Sequence, residues 1–238
     1  MTAQTVAQKL HDQLGQIIAV TEPGGRLPSE PNLAVKLGVS RASLREAMRT
    51  FETQGVIRRR QGSGTYVNLP LHVLESGLEV LESIETVAQR SGLSVKMGAL
   101  QVSQRQAEAD ECSLLALEPC GEVIQIARFI LAEDRPVAYL VDILPTNVLT
   151  QAELEHGFTG SILDLLLHRG APPLLTSRTE INAVTANSNV ARAMGIQRGD
   201  VLLSFTADLY AASGEVIDHS FSYFIPGYFR FHVVRRVG

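Results

Sequence analysis

Along the first seventy residues apolar side chains recur at helical spacing. Val6, Leu10, Leu14, Ile17 and Ile18 share one face, which predicts an amphipathic helix over residues 3 to 20, stopped by the turn-forming stretch TEPGGR. A loop leads to Ser29, whose hydroxyl suits the N-cap of a helix running through Leu37. Glu30 is favourable in its first turn, and Pro31 is tolerated there because the missing N–H has no helical partner to lose. Gly38 ends that helix. Ser40 caps a third, in which Leu44, Ala47, Met48 and Phe51 fall at i, i+3, i+4 and i+7, and Gly55 is placed to close it in a left-handed conformation. Two short β-prone runs, VIRRR and TYV, then flank the turn QGSG, the pattern of a hairpin.

The pattern then changes. NLPLHV, residues 68–73, has the look of a linker, and the domains are divided as a first at 1–68, a linker at 69–74 and a second at 75–238. Leu74, Leu78, Leu81, Ile84 and Ala88 predict a helix with Glu75, Glu79, Glu82 and Glu85 on its other faces. After it the chain repeats itself: GEVIQIARFILAEDRPVAYLVDILP from Gly121 resembles GDVLLSFTADLYAASGEVIDHSFSYFIP from Gly199, each preceded by a short helical stretch and closed by Pro145 and Pro226. Two helix-plus-hairpin units, joined through the helical pattern SILDLLLHRG, follow from this. AYLVDIL is almost wholly apolar, as expected of a central strand covered on both faces, so Asp142 in the first unit and Asp218, Ser220 and Ser222 in the second stand out.

Composition sets limits on both parts. With 238 residues of which 45% are apolar, each domain can bury a core. No apolar run approaches the roughly 20 residues of a membrane span and no signal peptide opens the chain, so a cytoplasmic protein is expected. Cys112 and Cys120 read as packing residues, and the six histidines are scattered, so neither a metal nor a cofactor is expected. Net charge is −4, but residues 1 to 70 hold 9 Lys/Arg against 5 Asp/Glu, or +4, and the remainder 12 against 20, or −8. The first part is built to meet a polyanion and the second is not.

Arg41, Arg45 and Arg49, each four residues after the last, form a row on the third helix beside Ser43. A bare arginine face is ordinarily solvated surface; the basic hairpin behind it makes a winged helix instead, with the third helix in the major groove. Arginine offers a fork of donors that fits guanine O6 and N7, or a phosphate. Arg41 and Arg45 are the base-reading candidates, and Ser40 and Ser43 suit phosphates. Gly62 and Gly64 let the wing approach DNA, with Gln61 and Thr65 as polar contacts, and only one or two of Arg58 to Arg60 face the duplex because strand side chains alternate. The stretch RLPSEPNLAVKLGVSRASLREAMRTFETQGVIRRRQGSGTYV is similar to the DNA-binding domain of GntR-family bacterial regulators. That resemblance adds Arg26, Ser29 and Arg60 to the candidate contacts, and it departs at Pro31, where the family has a DNA-contacting arginine.

A carboxylate inside an apolar strand requires a partner, so Asp142 and Asp218 should meet a cation, a donor or water, with Arg128 and Arg178 as possible internal partners. Glu180 and Tyr210 are weighed in the same way, and Ser161 opens a helix whose N–H groups suit an anionic ligand group or a plain cap. GEVIQIAR, RPVAYLVDILP, GSILDLLL, SRTEINAV, GDVLLSF and GEVIDHSFSYF resemble the UTRA domain of the HutC subfamily. The resemblance implies an α+β protein: a winged helix-turn-helix followed by a chorismate-lyase-like α/β domain with an antiparallel sheet, dimerising through that domain. It implies a small-molecule effector held in a pocket of that domain, for which Arg128, Asp142, Ser161, Arg178, Glu180, Tyr210, Asp218 and Ser220 are the candidate contacts. Members that bind phosphorylated sugars carry R-x-R in the first strand and an acid after PVA; here Phe129 and Ile130 follow Arg128, and Leu140 stands at the acid's place. The expectation is a ligand-responsive repressor, a homodimer on a palindromic double-stranded operator, without catalytic activity. The alternatives are a DNA-tethered chorismate-lyase-like enzyme and an effector-independent DNA binder.

Overall fold

The computed structural model describes residues 6–60, 62–68, 74–117, 120–155 and 158–236. Gln61 and most of the expected linker lie outside them. The chain divides into two units, Met1–Val73 and Leu74–Gly238.

In the first unit the apolar periodicity becomes three helices, α1 (Val6–Ala19), α2 (Glu30–Leu37) and α3 (Arg41–Thr53), followed by a hairpin of β1 (Ile57–Arg60) and β2 (Gly64–Val67). The caps are the expected ones. Ser29 and Ser40 accept from the backbone N–H groups of Asn32 and Ser43, Gly38 ends α2 at φ +66°, and Gly55 adopts φ +68° just beyond the last turn of α3. Leu14 and Ile18 of α1 bury against Leu33, Leu44, Met48, Phe51, Ile57 and Val67, and the His11 ring stacks on Phe51 at 4.4 Å. Residues 24–27, expected as free loop, extend the hairpin: Gly24 and Leu27 donate to the carbonyls of Val67 and Thr65, and Val67 donates to that of Gly25.

The second unit opens differently from the helix expected at Leu74. Residues Leu74–Gly77 form β3, paired in parallel with β10 (Phe229–His232) near the chain's other end. The helix, α4 (Ile84–Arg90), begins only at Ile84, because the Ser83 hydroxyl caps it by accepting from Thr86 N–H, and Val87 and Ala88 bury on one side. Leu78 and Leu81, which completed the apparent periodicity, are 39% and 48% exposed.

The repeat is a repeat of structure. The remaining elements are β4 (Val95–Gln106), α5 (Ala109–Leu114), β5 (Glu122–Ala132), β6 (Arg135–Pro145), α6 (Gln151–Glu155), α7 (Ile162–Arg169), β7 (Leu174–Thr185), α8 (Ser188–Met194), β8 (Val201–Ala211) and β9 (Val216–Phe224). Strand, helix and hairpin occur twice, and β6 meets β9 at the centre of an antiparallel sheet ordered β4-β5-β6-β9-β8-β7. One face packs Ile124, Ile126, Leu144 and Leu209 under α6 and α7, and Ile130, Ala138, Leu140 and Phe224 near its other end. The opposite face packs Tyr139, Leu202 and Tyr223 against α8, and Val123, Ile143 and Val216 against Leu115. Cys112 and Cys120, expected as packing residues, are joined in a disulfide with Cα atoms 5.3 Å apart. The turn after α5, with Ala116 at φ +50°, brings the chain back alongside the helix.

Candidate nucleic-acid interface and effector site

The helix α3 buries Leu44, Met48 and Phe51, which leaves Arg41, Ser43, Arg45 and Arg49 exposed on its other side. At its start the hydroxyls of Ser40 and Ser43 lie 2.9 Å apart. Arg45 is not loose: its Nε donates to Glu30 Oε2 at 2.7 Å, so the first turn of α2 steadies the guanidinium while its outer edge faces solvent. The same contact holds the Glu30 carboxyl below the usual carboxylate range. Pro31 sits exposed beside it in that first turn.

The hairpin register divides the arginine triplet. Arg58 pairs with Tyr66, Arg59 with Thr65 and Arg60 with Gly64, so Arg58 and Arg60 share one face and Arg59 takes the other. Arg59 turns to Glu52 and Glu30, 3.5 and 3.8 Å away, whereas Arg60 is exposed and lies over the Tyr66 ring at 5.2 Å. Gly62 at φ +74° makes the turn, and the Arg26 side chain crosses Gly64 so closely that a Cβ there would stand 2.7 Å from Arg26 Nε. Two expectations change here. Thr65 is only 7% exposed and faces the core with Arg59's side of the hairpin, so it is withdrawn from the contact surface. Tyr66, missed in the sequence, supplies the platform for Arg60.

In the second unit the sheet register gathers part of the expected set. Ile126 pairs with Asp142 and Asp142 with Ser220, so Arg128, Asp142, Ser220 and Asp218 are same-face neighbours on β5, β6 and β9, between the two apolar clusters of that face. Arg128, Asp142 and Asp218 are buried, at 4%, 8% and 6% exposure, and Arg128 Nη1 donates to Asp142 Oδ2. Ser161 is buried and caps α7 by accepting from Asp164 N–H. The structure adds Glu85 and Asp164, which sequence reasoning missed. The sequence pattern sets Glu85 off the apolar face of a helix from Leu74, whereas the helix starts ten residues later, at Ile84. Asp164 Oδ2 accepts from the Ser83 hydroxyl at 2.6 Å, tying the first turns of α4 and α7 together.

Burial pushes the Asp218 carboxyl well above the usual carboxylate range, and the neighbouring Asp142 adds to it; burial also raises Glu85. Among the described residues, Asp218 Oδ1, Arg128 Nε and Glu85 Oε1 are buried without a hydrogen-bond partner. Three candidates do not join this centre. Arg178 and Glu180 pair with each other at 2.5 Å on the exposed edge strand β7, and Tyr210 packs with Val123 and Ile143 on the opposite face of the sheet.

A winged helix-turn-helix with an exposed arginine row, followed by an α+β unit with a buried charged centre, is the architecture of a two-domain DNA-binding transcription regulator. Comparison with known proteins agrees. Residues 2–67 match the bacterial regulatory proteins of the gntR family and residues 90–230 match the UTRA domain. The HTH-type transcriptional regulator Rv0792c of Mycobacterium tuberculosis is 32% identical over 92% of this chain and 81% of its own length. The HTH-type transcriptional repressor NagR of Bacillus subtilis is 27% identical over 84% of this chain and 81% of its own. The crystal structure of PhnF from Mycobacterium smegmatis superposes with a TM-score of 0.65 over 96% of this chain and 100% of that one; at 19% identity it shows the fold. This chain belongs to the GntR family of transcriptional regulators and carries a UTRA domain as its second unit. Among the described residues, no helix is long and apolar enough to cross a membrane.

Proposed function

We propose that this protein is a cytoplasmic repressor that binds a palindromic operator as a homodimer and is controlled by a small effector held at the Arg128–Asp142–Asp218 centre. The observation that carries the reading is the arginine row of α3, exposed beside a wing whose Arg60 is held by Tyr66. Arg41 and Arg45, in the first turns, read base edges; Arg26, Ser29, Ser40, Ser43, Arg49 and Arg60, with the glycines of the wing and Gln61, position the unit on the backbone. Two-fold symmetry of the dimer matches two half-sites. The effector shifts DNA affinity by its differential affinity for the two states of the dimer.

Fluorescence anisotropy of the full chain against genomic fragments tests this, beginning with the region beside its own gene. The expected result is preference for one fragment over bulk competitor DNA at moderate salt. Equal binding to all fragments, with or without metabolites, removes the reading.

A further inference from the structure

The buried centre of the second unit is acidic by more than one residue. Around Arg128 of β5 stand Glu85 of α4, Asp142 of β6 and Asp218 of β9, with Asp164 of α7 close to Glu85, one positive group against four carboxyls, a formal −3 if all are ionised. Arg128 Nη1 donates to Asp142, its Nε is buried without an acceptor among the described residues, and its guanidinium lies 5.7 Å from the Phe158 ring centroid. That leaves Asp218 and Glu85, each with a buried oxygen that no donor reaches among the described residues. A buried carboxylate oxygen without a donor is destabilising, and native structures retain such groups chiefly where something else satisfies them.

We propose that this centre takes a small organic cation, a ligand whose ammonium or guanidinium nitrogen is held between Asp218 and Glu85. The proposal rests on reading the centre as the effector site and adds the ligand's charge class. Burial keeps Asp218 and Glu85 reluctant to ionise even with Arg128 nearby, so an arriving cation takes the place of protons.

Two other occupants fit less well. An anion aimed at the start of α7 meets Asp164 in the first turn of that helix. It also meets Glu85, whose Oε1 lies 3.0 Å from where a Cβ on Gly160 would stand. A bare metal ion needs several ligands converging at short range, and no group of three or more His, Cys, Asp and Glu among the described residues does so.

The test is thermal denaturation of the full chain with two panels. One holds primary amines, amino sugars and guanidines, with agmatine, histamine and glucosamine among them; the other holds inorganic phosphate, glucose 6-phosphate and citrate. A cationic compound at a hundredfold excess over its Kd should raise the melting temperature by roughly 5–10 °C. Calorimetric titration in two buffers of different ionisation enthalpy should show protons released on binding. The shift should vanish in Asp218→Asn and in Glu85→Gln, each checked for native circular dichroism, and persist in Arg178→Ala. Stabilisation by an anion, lost in Arg128→Met, overturns the cationic class and leaves the effector site standing. No stabilisation by either panel, or a cation shift that survives both acid variants, overturns the site as well.

Discussion

Replacing Arg45 by alanine separates recognition from stability. The Arg45 side chain is 57% exposed and its ion pair with Glu30 spans 2.7 Å. A pair so exposed contributes roughly 0.2–1 kcal/mol, and alanine, the better helix former, offsets part of it. The melting temperature should therefore move by no more than about 4 °C. A bidentate contact to guanine is worth about 1–3 kcal/mol of discrimination, or roughly 5- to 150-fold in Kd. Both half-sites of a palindrome lose it, so the dimer should lose about 2–6 kcal/mol of specific binding. The assay is anisotropy against an operator series in which each base pair is changed in turn, at two salt concentrations. Wild-type protein should reject substitutions at one position per half-site that the variant tolerates. Arg45→Lys keeps the charge without the fork, so it should retain the salt dependence and lose the discrimination. If Arg45→Ala instead weakens all sequences equally and lowers the salt slope, Arg45 contacts phosphate and the base-reading role is wrong.

Other outcomes follow from burial and conformation. Asp142→Ala strands the guanidinium of a buried Arg128 and should destabilise the second unit by about 3–5 kcal/mol, whereas Arg178→Ala breaks an exposed pair and should cost at most about 1 kcal/mol; urea denaturation distinguishes them. Asp218 and Glu85 have folded-state pKa values raised by burial, so the native state holds their protons longer than the unfolded chain does. Stability from this source is complete below the unfolded carboxylate value near pH 4 and declines as pH climbs toward the raised folded values. Asp218→Asn should flatten that decline in melts run across the acidic to neutral range, and an unchanged slope would refute the assignment. Gly62 makes the wing turn at φ +74° with open space around it, so Gly62→Ala meets no clash and should lose only the conformational preference, about 1–2 kcal/mol by thermal denaturation.

Local signals carried the first unit almost entirely. Cap hydroxyls at Ser29 and Ser40, glycines at 38 and 55, and an apolar stripe through Leu44, Met48 and Phe51 act within one or two turns, so their meaning survives without knowledge of the fold. The internal repeat likewise exposed both central hairpins, because strands buried on both faces read as apolar runs. The edge strands β4 and β7 have no such signature for the converse reason: their residues are mostly exposed and show no apolar run. At Leu74 a helical period was present, but pairing with β10, about 155 positions further along, outweighed it.

What the sequence determined alone was a basic winged helix joined to a repeated α+β unit, since charge and periodicity are properties of the chain. Which charges meet was decided only by tertiary structure. Register across β5, β6 and β9 set Arg128 beside Asp142 and Asp218, while the same alternation turned Thr65 inward and Tyr210 to the far face. Glu85 and Asp164 reached the buried centre through the packing of two helix starts some eighty residues apart, a contact that no local pattern encodes.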